Sequence, residues 1–212
     1  MSQSLPVHES LEEIVDPAHT ALLVIDVQND FLIPEYEPMI ERLERLLAAA
    51  RAAGVLVVYV QNTVLLDGAS HSPSEYARRR RLGMPMDVTV EGTAGQQFVP
   101  RIAPQPGELV VRKHRLNSFV GTSLDMHLRT RGVETIVCTG VATHGCVLST
   151  AYGGNSLNYY VVVAEDCVGA WAQDVHAAAL LTLRSTMNYV VDSSELARAW
   201  PARSLVAASP SA

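Results

Sequence analysis

Six short runs of continuous apolar, largely β-branched residues punctuate the chain: 21–27 (ALLVIDV), 55–61 (VLVVYVQ), 107–113 (GELVVRK), 133–140 (VETIVCTG), 159–166 (YYVVVAED) and 189–192 (YVVD). Runs of this length that do not alternate with polar residues predict strands of a parallel sheet covered on both faces. Between them the period changes. Residues 38–54 place Ile40, Leu43, Leu46 and Leu47 at helical spacing, opened by Pro38 and stopped by Gly54. Further helices are predicted near 122–131, 145–157 and 173–187. Strands alternating with amphipathic helices give an α/β fold.

The alternation breaks once, over 62–106, a stretch rich in Pro, Gly and Ser. Loops of that length in compact domains serve function or are disordered. Strands resume in the same style afterwards, so 62–106 is expected to be a lid or substrate-side excursion and not a linker. Residues 1–19 are expected to be an N-terminal extension, 20–200 the single folded domain, and 201–212 a flexible tail.

The 212 residues are 48% apolar and 18% charged, which suits one well-filled core. A net charge of −6 excludes a strong nucleic-acid footprint. The one basic run, Arg78 to Arg81, reads as a solvated helical or loop face, with a contact to a carboxylate-bearing substrate or to a second subunit as alternatives. The N-terminal segment lacks the basic-then-apolar pattern of a signal peptide, and no apolar run approaches a membrane span. Three cysteines (Cys138, Cys146, Cys167) without CxxC spacing predict neither a disulfide scaffold nor a cysteine zinc site; a reducing cytoplasm is the expected compartment.

In open parallel sheets ligands collect at the carboxyl ends of the strands. Asp26, Lys113 and Cys146 all fall at such ends. Singly, Asp26 can cap a turn, Lys113 can be a surface lysine and Cys146 can be core. Their joint placement at one sheet edge points to chemistry. Cys146 follows Gly145 at the expected start of a helix, where the partial positive charge favours a thiolate. His144 offers a Cys–His alternative, but two residues from Cys146 in a tight turn it is poorly placed to reach the thiol. His114, next to Lys113 on an extended strand, should point to the opposite face.

The segments LLVIDVQNDF, RKHRLNSFVGTSLDMHLRTRGVETIVCTGVATHGCV and VVVAEDCVGA resemble the isochorismatase-like cysteine hydrolases, a family that includes nicotinamidase, N-carbamoylsarcosine amidase, ureidoacrylate amidase and biuret hydrolase. The resemblance runs from about residue 20 to 192. It implies a Rossmann-like three-layer α/β/α sandwich with a mainly parallel six-stranded sheet, assembled as a homodimer or homotetramer. It implies Asp26 as acid/base, Lys113 as cationic partner and Cys146 as nucleophile, with a cis peptide joining Val141 to Ala142. The N–H groups of Ala142 and Cys146 would then form an oxyanion hole. Lys113 and the helix terminus would hold the thiolate, so alkylation well below the usual thiol pKa is expected.

Departures from the family narrow the substrate. The Asp-x-His metal motif of nicotinamidases is replaced by QNTVLLDGASH, where Asp67 and His71 are the only candidate ligands and make too small a set. Neither a metal nor another cofactor is expected. Isochorismatases of the phenazine type lack the cysteine. EGTAGQQF (91–98) matches the family's Gly-Thr-x-Gly loop near the active site. Phe31, Asn62, Phe119, His144 and Trp171 are candidate pocket walls. The expected activity is hydrolysis of a small linear amide or ureido compound; another carboxamide, nicotinamide-like, or a non-catalytic binding role are the alternatives.

Overall fold

Six strands, β1 (Thr20–Ile25), β2 (Leu56–Asn62), β3 (Leu109–Lys113), β4 (Thr135–Val141), β5 (Tyr160–Gly169) and β6 (Tyr189–Val191), form one sheet in the order β3-β2-β1-β4-β5-β6. Every neighbouring pair is parallel. This computed structural model describes residues 7–202, so most of the tail expected over 201–212 lies outside the described residues. Among the described residues, seven α-helices accompany the strands: α1 (Leu11–Ile14), α2 (Glu37–Ala53), α3 (Pro73–Arg81), α4 (Leu124–Thr130), α5 (Leu148–Ser156), α6 (Gln173–Thr186) and α7 (Ser193–Ala199).

Side chains of a strand alternate between faces, and β1 shows how this makes three layers. Leu22 and Val24 join a core with Leu43, Leu46 and Leu47 of α2 and Leu196 of α7. Ala21, Leu23 and Ile25 join a second core with Leu124 and Leu128 of α4, Ala151 of α5 and Leu183 of α6. Each fully buried leucine contributes about 1.5–3 kcal/mol. The stripe of α2 alone therefore fixes that helix firmly to the sheet. Gly54 ends it at φ 77°, a left-handed cap that glycine adopts without strain.

The chain runs outward from β1 to β3, then returns to the centre and runs the other way through β4 to β6. The switch point lies between the carboxyl ends of β1 and β4, where a crevice forms. Gly140 of β4 pairs with Ile25 there, at φ 105°. A Cβ at Gly140 would sit 2.0 Å from the Ile25 carbonyl oxygen, so only glycine lets the strands close at this level.

Three helices go beyond the expected set. α1 and α7 each open on a capping box, Ser10 with Glu13 and Asp192 with Glu195. α3 lies inside the excursion, where no apolar stripe announces it. Its Glu75 takes ion pairs from Arg78 (2.7 Å) and Arg79 (2.8 Å). Arg79 is buried and also donates to the Pro85 carbonyl, which corrects the reading of 78–81 as a wholly solvated face. Among the described residues, no helix is long and apolar enough to cross a membrane.

Candidate active site

Asp26, the residue after β1, sits at φ 54°, a left-handed conformation that Asp tolerates better than most side chains. Its N–H still donates to the Val60 carbonyl (3.0 Å), so the turn is locked to β2 while the carboxylate points into the crevice end of the sheet. Lys113 ends β3 and is fully buried, as is Asp26. Lys113 Nζ lies 2.8 Å from Asp26 Oδ2, donates to Cys146 Sγ at 3.2 Å, and donates to the Arg115 carbonyl at 2.9 Å. One ammonium thus touches both the carboxylate and the sulfur. Neither Asp26 oxygen accepts a well-directed hydrogen bond among the described residues, so lone pairs remain for a proton.

Burial shapes the charges. Desolvation raises the Asp26 carboxyl above the ordinary carboxylate range, only partly offset by Lys113. For Lys113 burial works against the ammonium, but Asp26 and Cys146 beside it outweigh that and hold its pKa above the usual value. The Cys146 thiol is pushed up to about 12, first by burial and then by the Asp26 charge, with Lys113 opposing. Both leading causes run against the expectation of a thiolate held by Lys113. The local helix geometry differs too: Cys146 lies inside a π-helical turn, Thr143–Val147, and α5 begins only at Leu148. The turn runs without a break into α5, so the sulfur sits in the opening turn of one helical run and beside the buried Lys113–Asp26 pair.

The turn carrying Cys146 follows the Val141–Ala142 peptide, which is cis. Gly145 has no positive φ, and a Cβ there would meet open space. The glycine that the backbone requires is Gly140. Thr143 Oγ1 bonds His176 Nδ1 at 2.9 Å, fastening the turn to α6.

Of the expected pocket walls, Phe119 and His144 line an open groove of about 670 Å³, together with Leu116, Val120, Gly145 and Tyr152. The groove reaches the Cys146 turn through His144 and Gly145, but Asp26, Lys113 and Cys146 do not line it. Trp171, largely exposed, meets His144 edge to face at 5.0 Å. No hydrogen bond joins His144 to Cys146 among the described residues. Phe31 packs against the α2-side core, and the Asn62 amide donates to Thr89 Oγ1 at 2.7 Å. Asp67 caps its own turn at Ala69, His71 packs edge to face on Tyr76, and His114 Nδ1 bonds the Thr63 carbonyl at 2.6 Å.

A buried amide cluster, which the hydropathy pattern gives no reason to single out, holds the excursion to the strand ends. The Gln96 carbonyl accepts from Gln28 Nε2 (2.7 Å) and Gln61 Nε2 (3.1 Å). The Gln96 side chain donates to Thr63 Oγ1 and accepts from the Gly92 N–H, both at 2.9 Å. Gly95 packs so closely on Asp30 that a Cβ would lie 2.0 Å from its Oδ2. The EGTAGQQF segment is therefore seated directly behind the Asp26 turn.

Comparison with known proteins places this geometry. The chain is 34% identical over 201 residues to ureidoacrylate amidohydrolase RutB of Methylobacterium radiotolerans, covering 84% of this chain and 78% of that one. A cysteine hydrolase from Pseudomonas syringae pv. phaseolicola is similar in structure, with a TM-score of 0.77 at 26% identity over 94% of this chain and 98% of the other. N-carbamoylsarcosine amidase from Thermoplasma acidophilum gives 0.68 at 28% identity, over 82% and 96%. Residues 20–195 match the Isochorismatase domain. That match runs from β1 into α7, and the chain belongs to the isochorismatase family.

Proposed function

We propose that the chain is a cysteine-dependent hydrolase of a small linear amide or ureido compound, acting through a thioester. The observation that carries this reading is Lys113, buried and in contact with both Asp26 and Cys146. Similarity to a ureidoacrylate amidohydrolase and to an N-carbamoylsarcosine amidase supports the C–N bond and the substrate class.

The raised thiol pKa decides the order of events. Cys146 starts as a thiol, and Asp26 takes its proton as Sγ attacks the carbonyl carbon. Lys113 stabilises the sulfur's developing charge from 3.2 Å. The carbonyl oxygen becomes an oxyanion, held by the N–H groups of Ala142 and Cys146. Collapse breaks the C–N bond, and Asp26 gives its proton to the leaving ammonia or amine. Water then attacks the thioester and Asp26 takes its proton. The second collapse expels Sγ, which recovers a proton from Asp26.

A panel of linear amides, ureido acids and ring carboxamides, assayed for ammonia release, tests the reading. Turnover of the linear members that is lost in Cys146→Ser supports it. Turnover confined to ring carboxamides would move the substrate class to nicotinamide-like compounds. No turnover of any member would favour a binding role. We also propose self-association as a dimer or tetramer, supported by the exposed Leu116, Val120 and Tyr152 along the open groove.

A further inference from the structure

The amino ends of the strands carry a second group of ligating side chains, at the opposite end of the sheet from Asp26. His19 and Glu134 immediately precede β1 and β4, whose first residues, Thr20 and Thr135, are register partners. The His19 carbonyl accepts from the N–H groups of Glu134 (2.9 Å) and Thr135 (3.1 Å), so both side chains leave one fixed piece of backbone. His8 lies over them on a segment that is itself tied down. Its N–H donates to the Tyr160 hydroxyl at 3.1 Å, and the capping box of α1 follows at once. At the end of α1, Ile14 and Val15 are buried, and the Val15 carbonyl accepts from the Trp200 indole at 2.7 Å.

His8 Nε2 lies 3.3 Å from Glu134 Oε2, and the two imidazoles stack with centroids 5.0 Å apart. One ligand atom from each of His8, His19 and Glu134 falls within 4.8 Å of the other two. The Nδ1 of His19 is buried and has no hydrogen-bond partner among the described residues. A tetrahedral ion with bonds of about 2.0–2.2 Å spaces its ligands about 3.3–3.5 Å apart. The His8–Glu134 separation already has that value, and the other ligand spacings stay within 4.8 Å.

The geometry points to a binding site for a divalent transition-metal ion of the zinc type, held by His8, His19 and Glu134. Two imidazoles and one carboxylate, with water in the fourth position, form a donor set that prefers zinc to magnesium or calcium. Seven residue steps of about 3.3 Å each separate His19 from Asp26, so the ion lies roughly 23 Å along the strand from the proposed chemistry. Its role is to fasten the N-terminal segment across the starts of β1, β4 and β5.

The test is calorimetric titration of the full chain with zinc sulfate, paired with thermal melting. A thiol also takes zinc, so both measurements are repeated in Cys146→Ser. One equivalent should bind in either chain and raise Tm by roughly 5 °C at a hundredfold excess over Kd; magnesium should do neither. His8 is only half-buried and Glu134 is exposed, so His8→Ala and Glu134→Gln should fold normally. Each should weaken zinc at least tenfold and lose the Tm rise. Absence of zinc binding in the Cys146→Ser chain overturns the assignment, as does wild-type affinity in both ligand variants.

Discussion

Gly140 and Ile25 approach so closely that no side chain fits between them: a Cβ on Gly140 would fall 2.0 Å from the Ile25 carbonyl oxygen. Ile25 directly precedes Asp26, so this contact sets where the proposed base stands. Gly140→Ala combines overlap with backbone against a φ of 105° and should cost ~3 kcal/mol or more. Gly145→Ala, with ordinary φ and open space, should stay within about 1 kcal/mol of wild type. Denaturant melts of the two variants make the comparison, and equal stabilities would refute it.

The acid limb of kcat/KM should report Asp26. Its carboxyl must be ionised to accept the thiol proton, and burial raises its pKa. Activity should therefore fall on acidification through a pKa above the ordinary value of about 3.9. Lys113→Met removes the opposing charge, so the limb of its residual activity should move to higher pH. The linkage has the same sign: the stability from protonated Asp26 is full below the unfolded pKa and lost as pH rises through the folded one. A limb near pH 4, or a downward shift in Lys113→Met, would count against Asp26 as base.

Alkylation and turnover should separate. With its thiol raised to about 12, Cys146 should react slowly with iodoacetamide at neutral pH while substrate turns over normally. Asp26→Asn removes a charge that raises the thiol pKa, so labelling should quicken while turnover falls by about 10²–10⁴-fold or more. Lys113→Met should slow labelling further, because it removes the charge that opposes the rise. His144→Ala should retain turnover. Quantitative mass spectrometry of the labelled chain, run beside the ammonia assay, reads both quantities. Loss of turnover in His144→Ala but not in Asp26→Asn would sink the mechanism.

Exhaustive chelation with EDTA should leave turnover unchanged. The proposed steps use Asp26, Lys113, Cys146 and the Ala142 N–H, and the His8–His19–Glu134 group stands at the far end of the strands. A loss of activity restored by zinc or manganese would place a metal in the chemistry.

Light scattering at micromolar concentration should give a dimer or larger. Val120 is 53% exposed beside the open groove. If the groove is the contact, Val120→Glu should shift the mass towards monomer; a wild-type chain already monomeric removes the proposed assembly.

The strands were legible because continuous Val, Ile and Leu runs have one stable home, a sheet covered on both faces. Helix α2 was legible from its apolar stripe and its Pro38 and Gly54 ends. Helix α3 was hidden because its residues face solvent or pair through Glu75, Arg78 and Arg79, which leaves no apolar period. The capping boxes of α1 and α7 stood in the sequence as Ser10–Glu13 and Asp192–Glu195, but both helices are short. Asp26, Lys113 and Cys146 could be placed at strand ends from spacing, and the structure brings them into contact. The direction in which the Cys146 pKa moves could not be read that way, because desolvation depends on what folds over the sulfur.

The Gln28–Gln61–Gln96 amides pin the far end of the excursion, and β2 carries its near end. The sequence between, roughly 65–88, hangs from two fixed posts. Between the posts it touches the strand ends at Ser70, whose carbonyl accepts from the Arg115 guanidinium at 2.7 Å, two residues beyond Lys113. Changes in length or composition there are therefore best absorbed on either side of Ser70, which makes the excursion two short exchangeable spans and not one.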